Sequence, residues 1–300
     1  MSRKTLIVIG GPTASGKTAA AIALAKHFDT EIISADARQF YRQMSIGTAK
    51  PTPEELAAAP HHLVGHLEVW QPYNAGAFER DALQILDEIF AKKDFAIAVG
   101  GSGLYLRTLC FGIDNMPAVP AEIRERTDAL LQEKGLPFLL EELQHYDATY
   151  YNEVDKANPA RVKRAMEIIY ATGQPYSSFR KKQPTERPFR SVWIGLDLPR
   201  EQLYERINRR VELMMEQGLE EEVRALLPYR HCNALQTVGY TETFDYLDGK
   251  TTLAEAVALI QQHTRNYAKR QLTWFRREPV QWFAPDDIAG MVQYINTQAK

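Results

Sequence analysis

Along the first third of the chain, short unbroken apolar runs alternate with runs of helical spacing. Residues 5–10 (TLIVIG), 31–36 (EIISAD) and 95–99 (FAIAV) are short and rich in β-branched side chains, and they read as buried strands. Between them, GKTAAAIALAKHF has high helical propensity. Residues 75–92 set Phe78, Leu83, Ile85, Leu86 and Ile89 on one helical face, and residues 104–109 begin another helix. Strands alternating with helices predict a parallel sheet covered by helices on both faces, an α/β fold.

After Gly112 the pattern changes. Residues 121–133, 137–146 and 159–171 read as helices, no convincing strand separates them, and residues 173–188 are a Pro-, Ser- and Lys-rich loop. Residues 191–198 (SVWIGLDL) are strand-like again. Helices then follow at 200–217, 220–227 and 253–277. The expected organisation is an α/β core of residues 1–115 and 190–300, interrupted by a mainly helical insertion at 116–189.

Composition narrows the class without naming a function. With 300 residues, 45% hydrophobic and 25% charged, the chain has material for a sizeable core, which excludes wholesale disorder. The 17 Gly and 16 Pro are ordinary counts, which excludes a collagen-like chain. No run of 18 apolar residues occurs, so no membrane span is expected. The basic N-terminus leads into an apolar stretch too short for a signal peptide, and a cytoplasmic location is expected. Cys110 and Cys232 cannot build a disulfide framework, and the histidines lack zinc-ligand spacing.

The net charge of −2 points to no partner, but its distribution is uneven. Residues 159–190 hold eight Lys/Arg against two Glu, a local +6, and residues 263–278 hold five against one, a local +4. Both stretches interleave aromatics, among them Tyr170, Tyr176, Phe179, Phe189, Tyr267, Trp274 and Phe275. Basic clusters with aromatics suit a polyanion such as nucleic acid, and they equally suit a solvated helix face.

The sharpest local signal is Gly11-Pro12-Thr13-Ala14-Ser15-Gly16-Lys17-Thr18, which matches G-x-x-x-x-G-K-[ST] between an expected strand and helix. Backbone N–H groups of such a loop wrap phosphate oxygens, and the helix N-terminus adds a positive dipole end. Lys17 adds a point charge, and Thr18 can hold Mg²⁺ through its hydroxyl. The later apolar strand runs into Gly100-Gly101-Ser102-Gly103 without the acid that ATPases place there, which argues against a motor ATPase. Asp36 ends its expected strand at the same sheet edge. It reads either as a general base facing bound phosphates or as a helix N-cap.

Seven stretches then carry a family resemblance: GPTASGKT, SADARQFYRQMSIGTAKP, HHLVGHLE, VGGSGLYLRTL, RINRRVELMMEQGLEEEV, QTVGYTETFDYL and RNYAKRQLTWFR. In this order, from residue 7 to about 277, they resemble the bacterial tRNA dimethylallyltransferases, the isopentenyl-tRNA transferase family. The resemblance implies a P-loop NTPase-like fold. It also implies transfer of a dimethylallyl group from dimethylallyl diphosphate to N6 of the adenosine 3′-adjacent to the anticodon, in tRNAs reading codons that begin with U. Pyrophosphate leaves, Mg²⁺ assists, and one chain serves one anticodon stem-loop.

Carried onto this sequence, the resemblance makes Gly11 to Thr18 the diphosphate cradle, with Thr18 on Mg²⁺, Asp36 as base and Arg210 on the leaving group. The implied tRNA contacts are Asp36, Ala37, Arg38, Gln39, Ser102, Arg124, Ala160, Arg161, Val162, Lys163, Arg164, Gln236, Thr237, Val238, Gly239, Tyr240, Thr241, Lys269, Arg270, Gln271, Trp274 and Arg276. Asp36 is followed by Ala37 where the family usually has Ser. Arg38, Gln39, Gln43 and Ser45 also depart from the usual pattern. An adenylate isopentenyltransferase, a small-molecule P-loop kinase and a silent RNA-binding relative stand as alternatives. Intact Asp36, Lys17 and Thr18 argue against the last.

Overall fold

The computed structural model describes residues 4–180 and 183–299. The chain forms two compact units, one ending at Gly112 and resuming at Glu186, the other Ile113–Thr185.

The first unit is built on one sheet of six strands: β1 (Thr5–Gly10), β2 (Ile32–Ser34), β3 (His61–His62), β4 (Phe95–Val99), β5 (Arg190–Leu196) and β6 (Gln281–Phe283). The order is β3-β2-β4-β1-β5-β6 and every pairing is parallel. β1 lies between β4 and β5, with Ile7 opposite Ile97 on one side and Val192 on the other. Its unbroken apolar run follows from that place, since both of its faces are covered.

Helices α1 (Lys17–His27), α2 (Pro53–Ala58), α3 (Ala75–Phe90) and α4 (Gly103–Phe111) precede the second unit. That unit holds α5 (Ala121–Tyr146), α6 (Ala148–Glu153) and α7 (Pro159–Thr172). The chain then returns through β5 to α8 (Arg200–Glu216), α9 (Leu219–Ala225), α10 (Tyr240–Leu247), α11 (Leu253–Phe275) and α12 (Ile288–Gln298).

Side-chain alternation along the strands divides the core of the first unit. Ile7, Ile9, Ile32, Ile97, Val192 and Ile194 pack against Ala21 and Leu24 of α1 and Met291 and Ile295 of α12. Leu6, Val8, Ile33, Ala96, Ala98 and Trp193 face the other way, against Phe78 and Leu86 of α3, Leu106 of α4, and Val211, Phe244 and Phe275 from the later helices. In the second unit, Leu139, Leu143, Val162, Met166 and Ile169 bring α5 and α7 together over a core of their own. Gly135 breaks α5 with φ 78°, and the two segments expected there meet at this kink, just before Pro137.

β3, β6, α2, α6, α10 and α12 are not expected from the residue pattern. The second expected strand is also shorter than residues 31–36, because the chain turns at Asp36 immediately beyond it.

Candidate active site at the carboxyl edge of the sheet

In a parallel sheet the loops that leave the carboxyl ends of neighbouring strands share one crevice. Here those loops follow β1, β2 and β4. With Arg210, Val211 and Met214 of α8 and Tyr267 and Gln271 of α11 they line an open cavity of about 1140 Å³. That exceeds the roughly 300–1,000 Å³ a single small ligand typically occupies, so two reacting groups can be held together.

The loop after β1 has the phosphate-cradle form. Ala14 takes a left-handed conformation at φ 64°, a strained position for a side chain with a Cβ and one that turns successive N–H groups inward. Lys17 opens α1, and its Nζ donates to the Pro12 carbonyl at 2.6 Å, across the loop. Burial and the neighbouring Arg210 cation pull its pKa down to about 8, against an upward pull from Asp36. Arg210 Nη1 donates to the Thr13 hydroxyl at 3.3 Å, so one turn of α8 delivers a guanidinium to the cradle. Burial lowers its pKa, while Glu55 and Asp36 pull it upward. Thr18 lines the same cavity.

Asp36 also lines the cavity. No helix follows it. Its Oδ1 accepts the Arg38 N–H at 3.0 Å and its carbonyl accepts the Gln39 N–H at 3.1 Å. The helix-cap alternative therefore gives way to an Asx turn, the local closure Asp makes when no helix is present. Ser102 behaves similarly. Its hydroxyl does not cap α4; it accepts the Ala37 N–H at 3.0 Å and braces the Asp36 turn from the next loop.

Residues 39–278 match the family model described as IPP transferase, and residues 4–64 match one described as isopentenyl transferase. The chain belongs to the IPP transferase family. A relative in Bacteroides thetaiotaomicron named tRNA dimethylallyltransferase 1 is 48% identical over 295 residues, 98% of this chain and 96% of its own length. A solved tRNA isopentenylpyrophosphate transferase from Bacillus halodurans superposes with a TM-score of 0.72 at 36% identity, covering 99% of this chain and 97% of that one. A solved eukaryotic dimethylallyltransferase acting on tRNA gives 0.79 at 25% identity, covering 99% of this chain and 77% of its own.

For this IPP transferase the remaining sequence-derived residues divide by exposure. Arg124, Ala160 and Arg161 of the helical unit are exposed, as are Gln236, Lys269, Arg270 and Arg276 of the other unit. Thr237, Val238 and Thr241 are half-buried, and Thr237, Val238 and Gly239 line the cavity. Arg38 and Gln39 spend their side chains on backbone carbonyls, Arg38 on Asn233 and Gln236, Gln39 on Thr48 and Ala49.

Three side chains serve as framework and present little or no surface. Val162 lies in the core of the helical unit, Tyr240 is buried under Gly47, and Gln271 is enclosed behind the phosphate loop. Trp274 is half-buried, its ring against Gly103. The local +6 is also about halved by acids from outside the stretch, since Glu167 is already counted in it. Lys163 pairs with Asp128, Arg164 with Glu167, Arg180 with Glu153 and Arg187 with Glu79, while Lys181 and Lys182 lie outside the described residues.

Sequence reasoning missed two participants. Tyr267 lines the cavity with 37% of its surface exposed, and its phenol pKa is pushed up to about 12 by burial and the nearby Asp36 charge. The residue had been noted as an aromatic among basic residues, which was its only signal. Glu222 holds the loop of residues 45–47 that lines the cavity, and nothing in its acidic local run distinguishes it.

Proposed function

We propose that the chain transfers a dimethylallyl group from dimethylallyl diphosphate to the N6 amine of the adenosine 3′-adjacent to the anticodon, in tRNAs reading codons that begin with U, releasing pyrophosphate. The observation that carries this reading is that the phosphate cradle and Asp36 open into one cavity with room for two reactants. The loop after β4, Gly100-Gly101-Ser102-Gly103, also lacks the acid that a nucleotide hydrolase would use.

The chemistry follows from the groups present. The N6 nitrogen attacks C1 of the dimethylallyl group, a C–N bond forms and the C1–O bond breaks. The amine is a weak nucleophile because its lone pair is delocalised into the ring, and Asp36 takes its proton as the bond forms. Charge growing on the leaving pyrophosphate meets Lys17, Arg210 and the backbone N–H groups of residues 14–18. The donors fit Mg²⁺, since the Thr18 hydroxyl and the substrate's own oxygens are the hard ligands it prefers. Among the described residues no cluster of three or more His, Cys, Asp or Glu could hold a metal, so substrate oxygens would supply most of its shell. When bound, Mg²⁺ supplies charge neutralisation on the leaving group.

The RNA contacts of this reading are Arg124, Ala160, Arg161, Lys163 and Arg164 of the helical unit, and Gln236, Thr237, Val238, Gly239, Thr241, Lys269, Arg270 and Arg276 of the other. The target base leaves the anticodon-loop stack to enter the cavity, the usual solution for chemistry on a base. One chain acts on one cytoplasmic tRNA. No helix among the described residues is long and apolar enough to cross a membrane.

The test uses purified protein, Mg²⁺, labelled dimethylallyl diphosphate and an anticodon stem-loop with three adenosines 3′ of the anticodon. Asp36→Asn is the informative variant because it keeps the acceptor for the Arg38 N–H. Label entering the wild-type reaction, with a fall of about 10²–10⁴-fold in the variant, is expected. Undiminished transfer by Asp36→Asn would remove Asp36 as base. Label on free AMP alone would indicate the adenylate enzyme, and ATP consumption without transfer a kinase.

A further inference from the structure

Gln271 faces inward from α11, 5% exposed, and both ends of its amide are used. Its Oε1 accepts the Thr13 N–H at 2.8 Å, and its Nε2 donates to the Gly101 carbonyl at 2.9 Å. The first partner belongs to the phosphate cradle, where the Thr13 hydroxyl also receives Arg210. The second belongs to the loop after β4, where the adjacent Ser102 hydroxyl accepts the N–H of Ala37, next to Asp36. One side chain therefore connects the loop that grips the diphosphate with the loop that braces the carboxylate. The contact is close, because a Cβ on Gly101 would lie 2.2 Å from Gln271 Nε2 and the amide would have to move.

We propose that Gln271 is a positioning residue that sets the register of the phosphate loop against the Asp36 turn, and so the separation of transferred carbon and attacking amine. The proposal rests on the prenyl-transfer reading of the site. Reacting atoms must approach to about 3–3.5 Å, and a displacement near 1 Å costs about 10²-fold in rate, so the effect falls on kcat and leaves the affinity for each substrate in place. A side chain serving as an RNA contact would give the opposite split.

The experiment compares wild type, Gln271→Leu, Gln271→Ala, Gly101→Ala and the double variant Gly101→Ala/Gln271→Ala. Expected for Gln271→Leu is a kcat lower by about 10–100-fold at saturating substrates, with dissociation constants for dimethylallyl diphosphate and for the stem-loop RNA, each measured alone, within about threefold of wild type. Gly101→Ala reproduces the loss, yet adds less than about twofold once Gln271 is Ala, because the atom it strikes is gone.

Hydrogen exchange supplies a readout that needs no turnover. In Gln271→Leu the Ala37 amide exchanges at least about tenfold faster, although it does not touch Gln271. Unchanged kcat with unchanged Ala37 exchange overturns the proposal, as do additive effects in the double variant or a loss confined to RNA affinity. Should wild type fail to transfer label while Ala37 exchange still responds, the reaction reading falls and the register survives.

Discussion

The loop of residues 45–47 is held by one carboxylate, which makes its ordering open to measurement. Glu222 on α9 accepts the N–H of Ser45 and of Ile46 on Oε2, each at 2.8 Å. On Oε1 it accepts the Gly47 N–H at 3.0 Å and the Tyr240 hydroxyl at 2.6 Å. Tyr240 is fully buried, and burial together with Glu222 pushes its phenol pKa far up, so it remains a donor. Glu222→Gln conserves size, removes the charge and turns one oxygen into a donor facing donors. Hydrogen bonds to a charged group are each worth about 1.5–3 kcal/mol, and two acceptor places are lost. The loop is half-exposed and water restores part of this, so the local cost is about 2–4 kcal/mol. That corresponds to a rise of about 30- to 700-fold in exchange at the amides of residues 45–47. Native-state hydrogen exchange reads it directly. Because the loop lines the cavity, KM for at least one substrate rises with it. Exchange within threefold of wild type at all three amides would refute the assignment.

Other consequences are more briefly stated. Arg210→Ala lowers kcat by about 10²–10³-fold through the loss of a donor to the leaving group, and Arg210→Lys recovers part of it by keeping the charge; steady-state kinetics within threefold of wild type would remove Arg210 from that role. Lys269→Ala or Arg270→Ala weakens stem-loop binding and lowers the slope of log K against log salt by about 1, while dimethylallyl diphosphate binding is unchanged; an unaltered slope would place these charges off the RNA. Gly103→Ala puts a Cβ 2.1 Å from the Trp274 ring and costs about 1–3 kcal/mol in thermal unfolding, a loss that Trp274→Leu in the same chain relieves.

What the residue pattern revealed follows burial. β1, β4 and β5 are covered on both faces, so their apolar runs were legible, and α3 announced itself by its apolar face; its cap, Asn74 accepting the Ala77 N–H, is a finding of the structure. β3 and β6 are edge strands of two and three residues, His61–His62 and Gln281–Phe283, and they lack the length to show a period. α12 carried a readable stripe in Ile288, Met291, Val292 and Ile295, which the reading of the sequence passed over. In the site, the cradle was legible because its conformation demands glycines in sequence. The holding roles of Gln271 and Glu222 were not, because each acts on a loop at least 170 positions away along the chain, a separation that local patterning does not encode.

Arg38, Gln39, Gln43 and Ser45 share one use. Arg38 reaches the Asn233 carbonyl at 3.0 Å, and Gln39 reaches the carbonyls of Thr48 and Ala49 at 3.1 Å each. Gln43 donates to Glu68 and accepts the Val69 N–H, and the Ser45 hydroxyl is bonded to Lys50. Side chains spent in this way are not free to read a base edge. Gln39 and Ser45 tie residues 36–50 to one another, Arg38 and Gln43 fasten them to neighbouring segments, and a wall held in this way lowers the ordering cost of binding. Substitutions at Arg38 or Gln39 are therefore expected to act by loosening the Asp36 turn, with little exchange of one RNA base preference for another in a transfer assay on stem-loop variants.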